Sequence, residues 1–184
     1  MRILLLPHGR SGSTSLHFAL SDVLNLDKII EPFNKDLWNN YYKDEPTYQG
    51  GDIPNNTIIK NLVGQNDGWV KEYVNQFDKI ILLVRDNIRD TIISAQNADV
   101  YGYINPYTPT EKITPKMMTY ISKLYSLLFN FSEVLTSDLV WYEDIFNNYD
   151  LSKETIQSLD LNINDEQFDM MWDKYLNPKH RLRK

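Results

Sequence analysis

The sequence predicts an α/β protein in which helices cover both faces of a central parallel sheet. Short, continuously apolar runs such as 3–6 (ILLL) and 79–84 (KIILLV) are typical of strands buried on both faces. Segments with helical spacing of apolar residues separate these runs. Strands that alternate with helices favour a three-layer sandwich around a parallel sheet.

The first helix is predicted over 13–26, directly after the first strand. Leu16, Leu20, Val23 and Leu24 recur there at helical spacing. A loop rich in glycine and hydroxyl residues connects the strand to the helix. Because the helix follows the carboxyl end of that strand, its N-terminus is expected at the carboxyl edge of the sheet.

The middle of the chain alternates between short strands and polar segments. Strands are predicted at 28–33 and 57–60, and a helix at 67–77. The segment 34–56 is polar with several turn signals, which indicates a surface excursion. Its aromatic residues suit either stacking on a sugar or phenol or burial beneath the loop, and they are Trp38, Tyr41, Tyr42 and Tyr48.

The last part of the chain adds two helices and one strand. The strand 79–84 leads through a polar turn into a helix that ends near Ala98, and 101–113 is predicted as loop. Thr114 then caps a long helix with a proline in its first turn. A final strand is predicted at 138–145. The apolar stripe of the long helix is predicted to comprise Met117, Met118, Ile121, Leu124, Tyr125, Leu128 and Phe131.

Composition and charge limit the classes of function. The 184 residues predict a single domain over 1–184, and the net charge of −6 argues against a nucleic-acid or membrane-surface binder. The absence of cysteine excludes disulfides and thiolate zinc sites, and the three histidines lack metal-ligand spacing, so no metal site is expected. Without a signal peptide or a long apolar run, we expect a cytoplasmic protein that binds no membrane.

The loop between the first strand and the first helix has the composition of an anion-binding site. In PHGRSGSTSL (7–16), Gly9 and Gly12 allow close approach of the backbone to an anion, and four hydroxyl residues supply donors. Arg10 adds a planar charged group suited to phosphate or sulfate. The following helix contributes unpaired N–H groups and the positive end of its dipole. A plain strand–helix turn capped by Ser13 is the structural alternative.

The same loop departs from the magnesium-nucleotide loop of kinases. That loop reads G-x-x-x-x-G-K-[ST], with a lysine for the phosphates and a hydroxyl for magnesium. Here Gly12 is followed by Ser13, and the loop contains no lysine. The pattern therefore indicates a P-loop relative without the usual magnesium apparatus.

Two motifs make the chain resemble the sulfotransferases that use 3′-phosphoadenosine 5′-phosphosulfate (PAPS). RSGST (10–14) is similar to their first motif, [KR]-S-G-[ST]-T. LLVRDNIRDTIIS (82–94) is similar to their second, with Arg85 and Ser94 nine residues apart as in some bacterial carbohydrate-sulfating branches. YED (142–144) resembles a late family motif. The cytosolic animal branch usually has a shorter Arg–Ser spacing and an aromatic residue where Ser15 stands.

The resemblance implies a P-loop NTPase-like sulfotransferase fold and a set of binding residues. Sulfuryl would pass from PAPS to a hydroxyl of a small-molecule or carbohydrate acceptor, leaving adenosine 3′,5′-bisphosphate (PAP). By the resemblance, the loop with Ser13 and Thr14 holds the 5′-phosphate, and Arg85 with Ser94 holds the 3′-phosphate. The nucleotide-binding residues so implied are Gly9, Arg10, Ser11, Gly12, Ser13, Thr14, Ser15, Arg85, Ser94, Tyr142, Lys179 and Arg181.

The resemblance also implies three catalytic residues. Arg10 stands where relatives have a lysine or arginine that stabilises charge on the bridging oxygen. Glu31 stands where carbohydrate-sulfating branches place a general base, and Lys60 where relatives carry a lysine or histidine near the transferred group. For both residues a solvated strand-end side chain is an equal alternative. His8 is the next candidate base, because it is the only histidine in the anion loop, but a structural or solvent-facing role is the favoured interpretation of this residue.

Two other functions remain open at this point. A P-loop phosphotransferase would require magnesium, for which the loop offers no lysine–serine pair. A non-catalytic relative would bind a nucleotide or an acidic glycan without turnover. The basic tail from Lys179 onwards, KHRLRK, either closes over the 3′-phosphate or is a solvated end.

Overall fold

The computed structural model describes residues 1–31, 52–65, 72–101 and 113–181, with the backbone alone for 97–101 and 180–181. Within these ranges one sheet contains the strands β1 (Arg2–Pro7), β2 (Asp27–Ile30), β3 (Thr57–Lys60), β4 (Lys79–Val84) and β5 (Asp138–Trp141). Their order across the sheet is β2-β3-β1-β4-β5, and each neighbouring pair is parallel. The predicted parallel sheet is confirmed.

The strand order places the predicted loop at a reversal point of the sheet. β1 lies between β3 and β4, with Leu5 opposite both Lys60 and Ile81. The chain leaves β1 towards β2 and β3 on one side, and leaves β4 towards β5 on the other. In open parallel sheets, ligands bind at the carboxyl edge where the winding reverses.

The helices connect and cover the strands. The long helices α2 and α3 follow β4, and the short helix α4 begins directly after β5. The described helices are α1 (Ser13–Leu24), α2 (Ile88–Tyr101), α3 (Pro115–Val134), α4 (Tyr142–Phe146), α5 (Tyr149–Ser158), α6 (Asp165–Met171) and α7 (Pro178–Arg181), with a 3₁₀ turn at Val74–Gln76 and a π-helical turn at Trp172–Leu176.

Alternate residues of the three central strands β3, β1 and β4 belong to two separate cores, one on each face of the sheet. Leu5 and Ile81 belong to the core that also contains Leu16 of α1 and Phe168 of α6. Leu4, Leu6 and Leu82 belong to the core that contains Ile92 of α2 and Leu128 of α3. This alternation is the pattern of a sheet covered on both faces, and it confirms the three-layer α/β sandwich.

Several predicted boundaries need correction. β5 ends at Trp141, and residues 142–146 form α4 instead of continuing the strand predicted over 138–145. The helix predicted over 13–26 ends at Leu24, because Asn25 adopts a left-handed conformation with φ 52° and stops it. The strand predicted over 28–33 is β2, which ends at Ile30 before Glu31 turns to φ 45°.

The predicted apolar stripe of α3 is confirmed at its centre and wrong at one residue. The buried members include Ile121, Leu124, Leu128 and Phe131. Met118 is 49% exposed, because it lies beside the line of residues three and four apart that faces the sheet. The Thr114 hydroxyl accepts the Met117 N–H, as the predicted cap requires. Most of the predicted loops 34–56 and 101–113, with Trp38, Tyr41, Tyr42 and Tyr48, lies outside the described residues.

Candidate active site

A cleft of about 250 Å³ opens at the carboxyl edge of the sheet, beside the ends of β1 and β4. Its walls come from the β1–α1 loop and the first turn of α1, from the segment after β4, from α2 and from α4. The lining residues are Arg10, Gly12, Ser13, Thr14, Ser15, Arg85, Ser94 and Tyr142. Each of these residues was predicted to bind the nucleotide, and the fold brings them together from three separate parts of the chain.

The β1–α1 loop reaches the cleft through two residues with left-handed backbone conformations. Arg10 has φ 69° and Gly12 has φ 73°. At Gly12 a glycine is required, because a Cβ would lie 2.8 Å from Cε2 of Phe146 and 2.9 Å from Cε2 of Tyr142. The loop therefore packs its backbone directly against the rings of α4.

The first turn of α1 faces the cleft. Gly12 precedes the helix, and its carbonyl oxygen accepts the N–H groups of Ser15 and Leu16. The N–H groups of Ser13 and Thr14 precede the first intrahelical hydrogen bonds, so they are available to a ligand. With the positive end of the helix dipole, they favour an anion at this position.

Two predicted anion-binding residues meet across the cleft. Arg10 Nε donates a hydrogen bond of 2.9 Å to Ser94 Oγ. The two residues are separated by 84 positions in the chain, one in the β1–α1 loop and the other on α2. The first and second motifs therefore form one site.

Arg85 forms the opposite wall of the cleft. Its guanidinium carbon lies 4.8 Å from the centre of the Tyr142 ring, and its Nη2 lies 3.4 Å from Asp90 Oδ2. Its Nε is buried, has no hydrogen-bond partner among the described residues and lies 3.9 Å from Glu143 Oε1. A buried guanidinium N–H without an acceptor suits an anionic ligand.

Glu143 holds this wall in place through hydrogen bonds, a role that the sequence alone did not predict. Its Oε2 accepts the Asp86 N–H at 2.9 Å, and its Oε1 lies 3.4 Å from the Asn87 nitrogen. The carboxylate thus holds the segment that carries Arg85 just before α2 begins. The YED motif was the available signal, since Tyr142 and Glu143 are its first two residues.

A buried ion pair lies behind the first turn of α1. Lys60 Nζ is 2.8 Å from Glu31 Oε1 and donates a hydrogen bond of 3.1 Å to Thr14 Oγ1. Gln65 Nε2 donates to the other carboxylate oxygen at 3.2 Å. The side chains of Lys60 and Glu31 are 5% and 8% exposed, so neither is a solvated strand-end residue. The structure brings the two predicted catalytic residues together and links them to the cleft through Thr14.

Two histidines near the site are buried and neutral. His8 Nδ1 is bonded to the Gly9 carbonyl at 2.8 Å and His8 Nε2 to the Arg85 N–H at 2.9 Å. Burial lowers its pKa from 6.5 to about 4. The burial of His8 and the engagement of both ring nitrogens count against His8 as the alternative general base. His17 bonds the Ile58 carbonyl through Nε2, and burial likewise lowers its pKa to about 4.

Three other predicted binding residues, Gly9, Ser11 and Lys179, lie outside the lining of the cleft. Gly9 has open space where a side chain would begin. Ser11 is buried, and its hydroxyl donates to the His8 carbonyl, so only its backbone can address a ligand. Lys179 is exposed on α7, and the side chain of Arg181 is outside the described part of the chain. Their assignment to the nucleotide stays a prediction.

Two further findings concern the described residues only. They include no helix both long and apolar enough to cross a membrane. They also include no group of three or more histidine, aspartate or glutamate side chains that could hold a metal ion.

The switch-point topology and the helix N-terminus at the cleft define an α/β fold with an open cleft at the carboxyl edge of its parallel sheet. Comparison with solved structures identifies it further. The chain is similar to the crystal structure of mouse sulfotransferase SULT7A1 complexed with PAP, with a TM-score of 0.61 and 17% sequence identity. The match covers 95% of this chain and 63% of the mouse chain. No protein-family model matches the sequence, and no curated protein matches it. The chain has the sulfotransferase fold.

Proposed function

We propose that this protein is a PAPS-dependent sulfotransferase that transfers a sulfuryl group to a hydroxyl of a small-molecule or carbohydrate acceptor. The observation that carries the proposal is the cleft, where Arg10, Arg85 and Ser94 meet the first turn of α1. The described wall of the cleft contains two cations and no carboxylate, which suits a ligand with several negative charges. The fold shared with a sulfotransferase that was crystallised with PAP is consistent with this ligand.

The cleft offers two separate places for phosphate groups. The N–H groups and hydroxyls at the start of α1 suit the 5′-phosphate, which carries the transferable group. Arg85, with its buried Nε, and the hydroxyl of Ser94 suit the 3′-phosphate. The hydrogen bond from Arg10 to Ser94 spans the two places and so connects both anion sites.

The proposed reaction breaks one bond and forms one bond at sulfur. The acceptor oxygen attacks the sulfur, and the electron pair of the bridging S–O bond passes to the 5′-phosphate oxygen as PAP leaves. We assign the stabilisation of the charge that develops on that oxygen to Arg10, which lines the cleft, and to Lys60, which bonds Thr14. Such contacts accelerate transfer only as far as they strengthen in the transition state.

Glu31 is the proposed acceptor of the proton that the attacking hydroxyl releases. In the structure its carboxylate is paired with Lys60 and bonded by Gln65. This environment keeps the carboxylate in place behind the loop, with one oxygen held by each partner. Proton transfer to Glu31 would require Lys60 to move towards the anionic donor, which also attracts its charge.

The test is transfer from radiolabelled PAPS to a panel of sugars, phenols and small alcohols. Glu31→Gln should lower turnover by roughly 10²–10⁴, while the affinity for PAP stays within a few-fold of the wild-type value. Glu154→Gln, on an exposed residue of α5, is the matched control and should leave turnover unchanged. Failure of the wild type to transfer sulfuryl to any acceptor or to bind PAP would contradict the proposal.

A further inference from the structure

His8 lies where the two halves of the candidate site come closest. It follows β1 directly, and Arg85 follows the neighbouring strand β4, in which Leu83 pairs with Pro7. The side chain of His8 is fully buried and lines no part of the cleft, so it is not placed to contact a ligand. Its contacts are with the two segments that form the cleft walls.

Hydrogen-bonding chemistry determines the tautomer of His8. The Arg85 N–H can only donate, so Nε2 at 2.9 Å must present its lone pair. The Gly9 carbonyl can only accept, so Nδ1 at 2.8 Å must carry the proton. The ring is therefore a neutral Nδ1–H imidazole that bridges the anion loop and the Arg85 backbone.

The surroundings hold the ring and the Arg85 peptide in one orientation. The imidazole stacks on the Tyr125 ring with centroids 4.5 Å apart. The Tyr125 hydroxyl donates to the Arg85 carbonyl and also contacts Thr91 Oγ1 at 3.3 Å. The N–H and the C=O of Arg85 are thus held by His8 and Tyr125, respectively. Ser11 completes the network from the loop side by donating to the His8 carbonyl.

We propose that His8 is a positioning residue that sets the distance between the two anion-binding walls, acting only as the neutral Nδ1–H tautomer. Through Gly9 it holds the loop that carries Arg10, and through Arg85 it holds the opposite wall. The proposal rests on the proposed function, because it assumes that one ligand contacts both walls. A ligand with two phosphate groups then depends on His8 more than a ligand with one.

The surroundings of His8 also favour the neutral ring. Burial lowers the pKa of His8 from 6.5 to about 4 and outweighs the hydrogen bond to the Gly9 carbonyl, which favours protonation. The charge of Arg85 opposes protonation, that of Glu143 favours it, and Tyr125 faces the ring. Protonation would turn the acceptor Nε2 into a donor facing the Arg85 N–H, which would break the contact. Between pH 5.5 and 8 we therefore expect a single tautomer.

Three variants separate positioning from general stability. His8→Phe keeps a ring to stack on Tyr125 but loses both hydrogen bonds. His8→Gln places an amide oxygen near the position of Nε2 and can accept the Arg85 N–H, whereas His8→Asn reaches only towards Gly9. The readout is the ratio of dissociation constants for adenosine 5′-phosphate and PAP, which isolates the contribution of the 3′-phosphate.

The expected result is a fall of that ratio by roughly tenfold in His8→Phe and His8→Asn, with substantial recovery in His8→Gln. Long-range ¹H–¹⁵N spectra of the wild type should show the Nδ1–H tautomer unchanged from pH 5.5 to 8.

An Nε2–H tautomer, or a wild-type ratio in folded His8→Phe, would overturn the positioning role while leaving the proposed function intact. Absence of PAP binding by the wild type would instead overturn the proposed function, and this proposal with it. If His8→Phe does not fold, the tautomer of the wild type and the ratio of dissociation constants in His8→Gln still decide the proposal. A ratio in His8→Gln that falls as far as in His8→Asn counts against it.

Discussion

The two arginines of the cleft differ in how the protein holds them. Arg10 is exposed and sits on a left-handed backbone, with its Nε directed at Ser94. Arg85 is 18% exposed at its side chain, stacked on Tyr142 and flanked by Asp90 and Glu143. A preorganised guanidinium loses little conformational entropy on binding, so Arg85 is suited to selective recognition of a fixed phosphate.

Replacement of Arg85 should therefore discriminate between nucleotides. We expect Arg85→Ala to weaken PAP binding by about 1.5–3 kcal/mol and to affect adenosine 5′-phosphate much less, because only PAP has a 3′-phosphate. Arg89 is an exposed arginine in the first turn of α2, four residues after Arg85. Arg89→Ala is the matched control and should change neither affinity. Calorimetric titration measures both ligands. If Arg85→Ala weakens the binding of both nucleotides equally, Arg85 does not contact the 3′-phosphate.

At the scale of elements, the short helix α4 supports the anion loop. Tyr142 and Phe146 lie one turn apart on α4, with ring centroids 4.8 Å from each other, and both rings face Gly12. Glu143, on the same helix, holds the backbone of the segment before α2. A helix of five residues thus contacts both walls of the cleft.

The glycines of the loop give a direct test of this packing. Gly12→Ala should destabilise the protein by about 2–4 kcal/mol, since it adds left-handed backbone strain and a clash with two rings. It should also weaken PAP binding by displacing the start of α1. Gly9→Ala is the matched control for stability, because nothing lies within 4 Å of its would-be Cβ. Thermal unfolding with and without PAP measures both effects, and similar melting temperatures for the two variants would refute the close packing.

The sequence allowed the convergence of the predicted binding residues to be predicted. It did not allow the same for several side chains that hold them in place. Arg10 and Arg85 follow two apolar runs that read clearly as buried strands, and parallel strands bring such ends to one edge. The support from Glu143 depends on a contact 57 residues away in sequence, and the YED motif marks this residue without indicating its partner. The same holds for the Glu31–Lys60 pair, which joins the ends of β2 and β3.

Errors in the predicted elements have local causes. The run 138–145 is apolar and aromatic enough for a strand, but two acidic residues at its end, Glu143 and Asp144, suit the first turn of a helix instead. Met118 is apolar, yet it stands one position off the buried stripe of α3. The apolar pattern alone did not distinguish these cases, because tertiary contacts determine which face is buried.

At the scale of the whole molecule, two buried histidines make stability depend on pH. His8 and His17 are fully buried, and burial lowers the pKa of each from 6.5 to about 4. The unfolded chain takes up protons at these residues as the pH falls below 6.5, whereas the folded chain does so only near 4. The contribution of these two histidines to the free energy of unfolding is therefore fully present above pH 6.5, and it is lost as the pH falls towards 4.

We expect each histidine to reduce the free energy of unfolding by up to about 2 kcal/mol between pH 6.5 and 5. Urea unfolding at several pH values measures this slope. His17→Gln can retain a donor to the Ile58 carbonyl without titrating, so it should remove about half of the slope. A slope that is equally steep in His17→Gln would show that other groups govern the acid sensitivity.

The most direct test of the central claim compares PAP with magnesium-ATP as ligands of the wild-type protein. If the cleft holds a nucleotide with a 3′-phosphate and needs no metal, PAP should stabilise the protein in the presence of a chelator. At a concentration of about 100 times its dissociation constant, PAP would add roughly 2.7 kcal/mol to the free energy of unfolding, while ATP with magnesium adds little. Stronger stabilisation by magnesium-ATP than by PAP would contradict the account and favour a phosphotransferase.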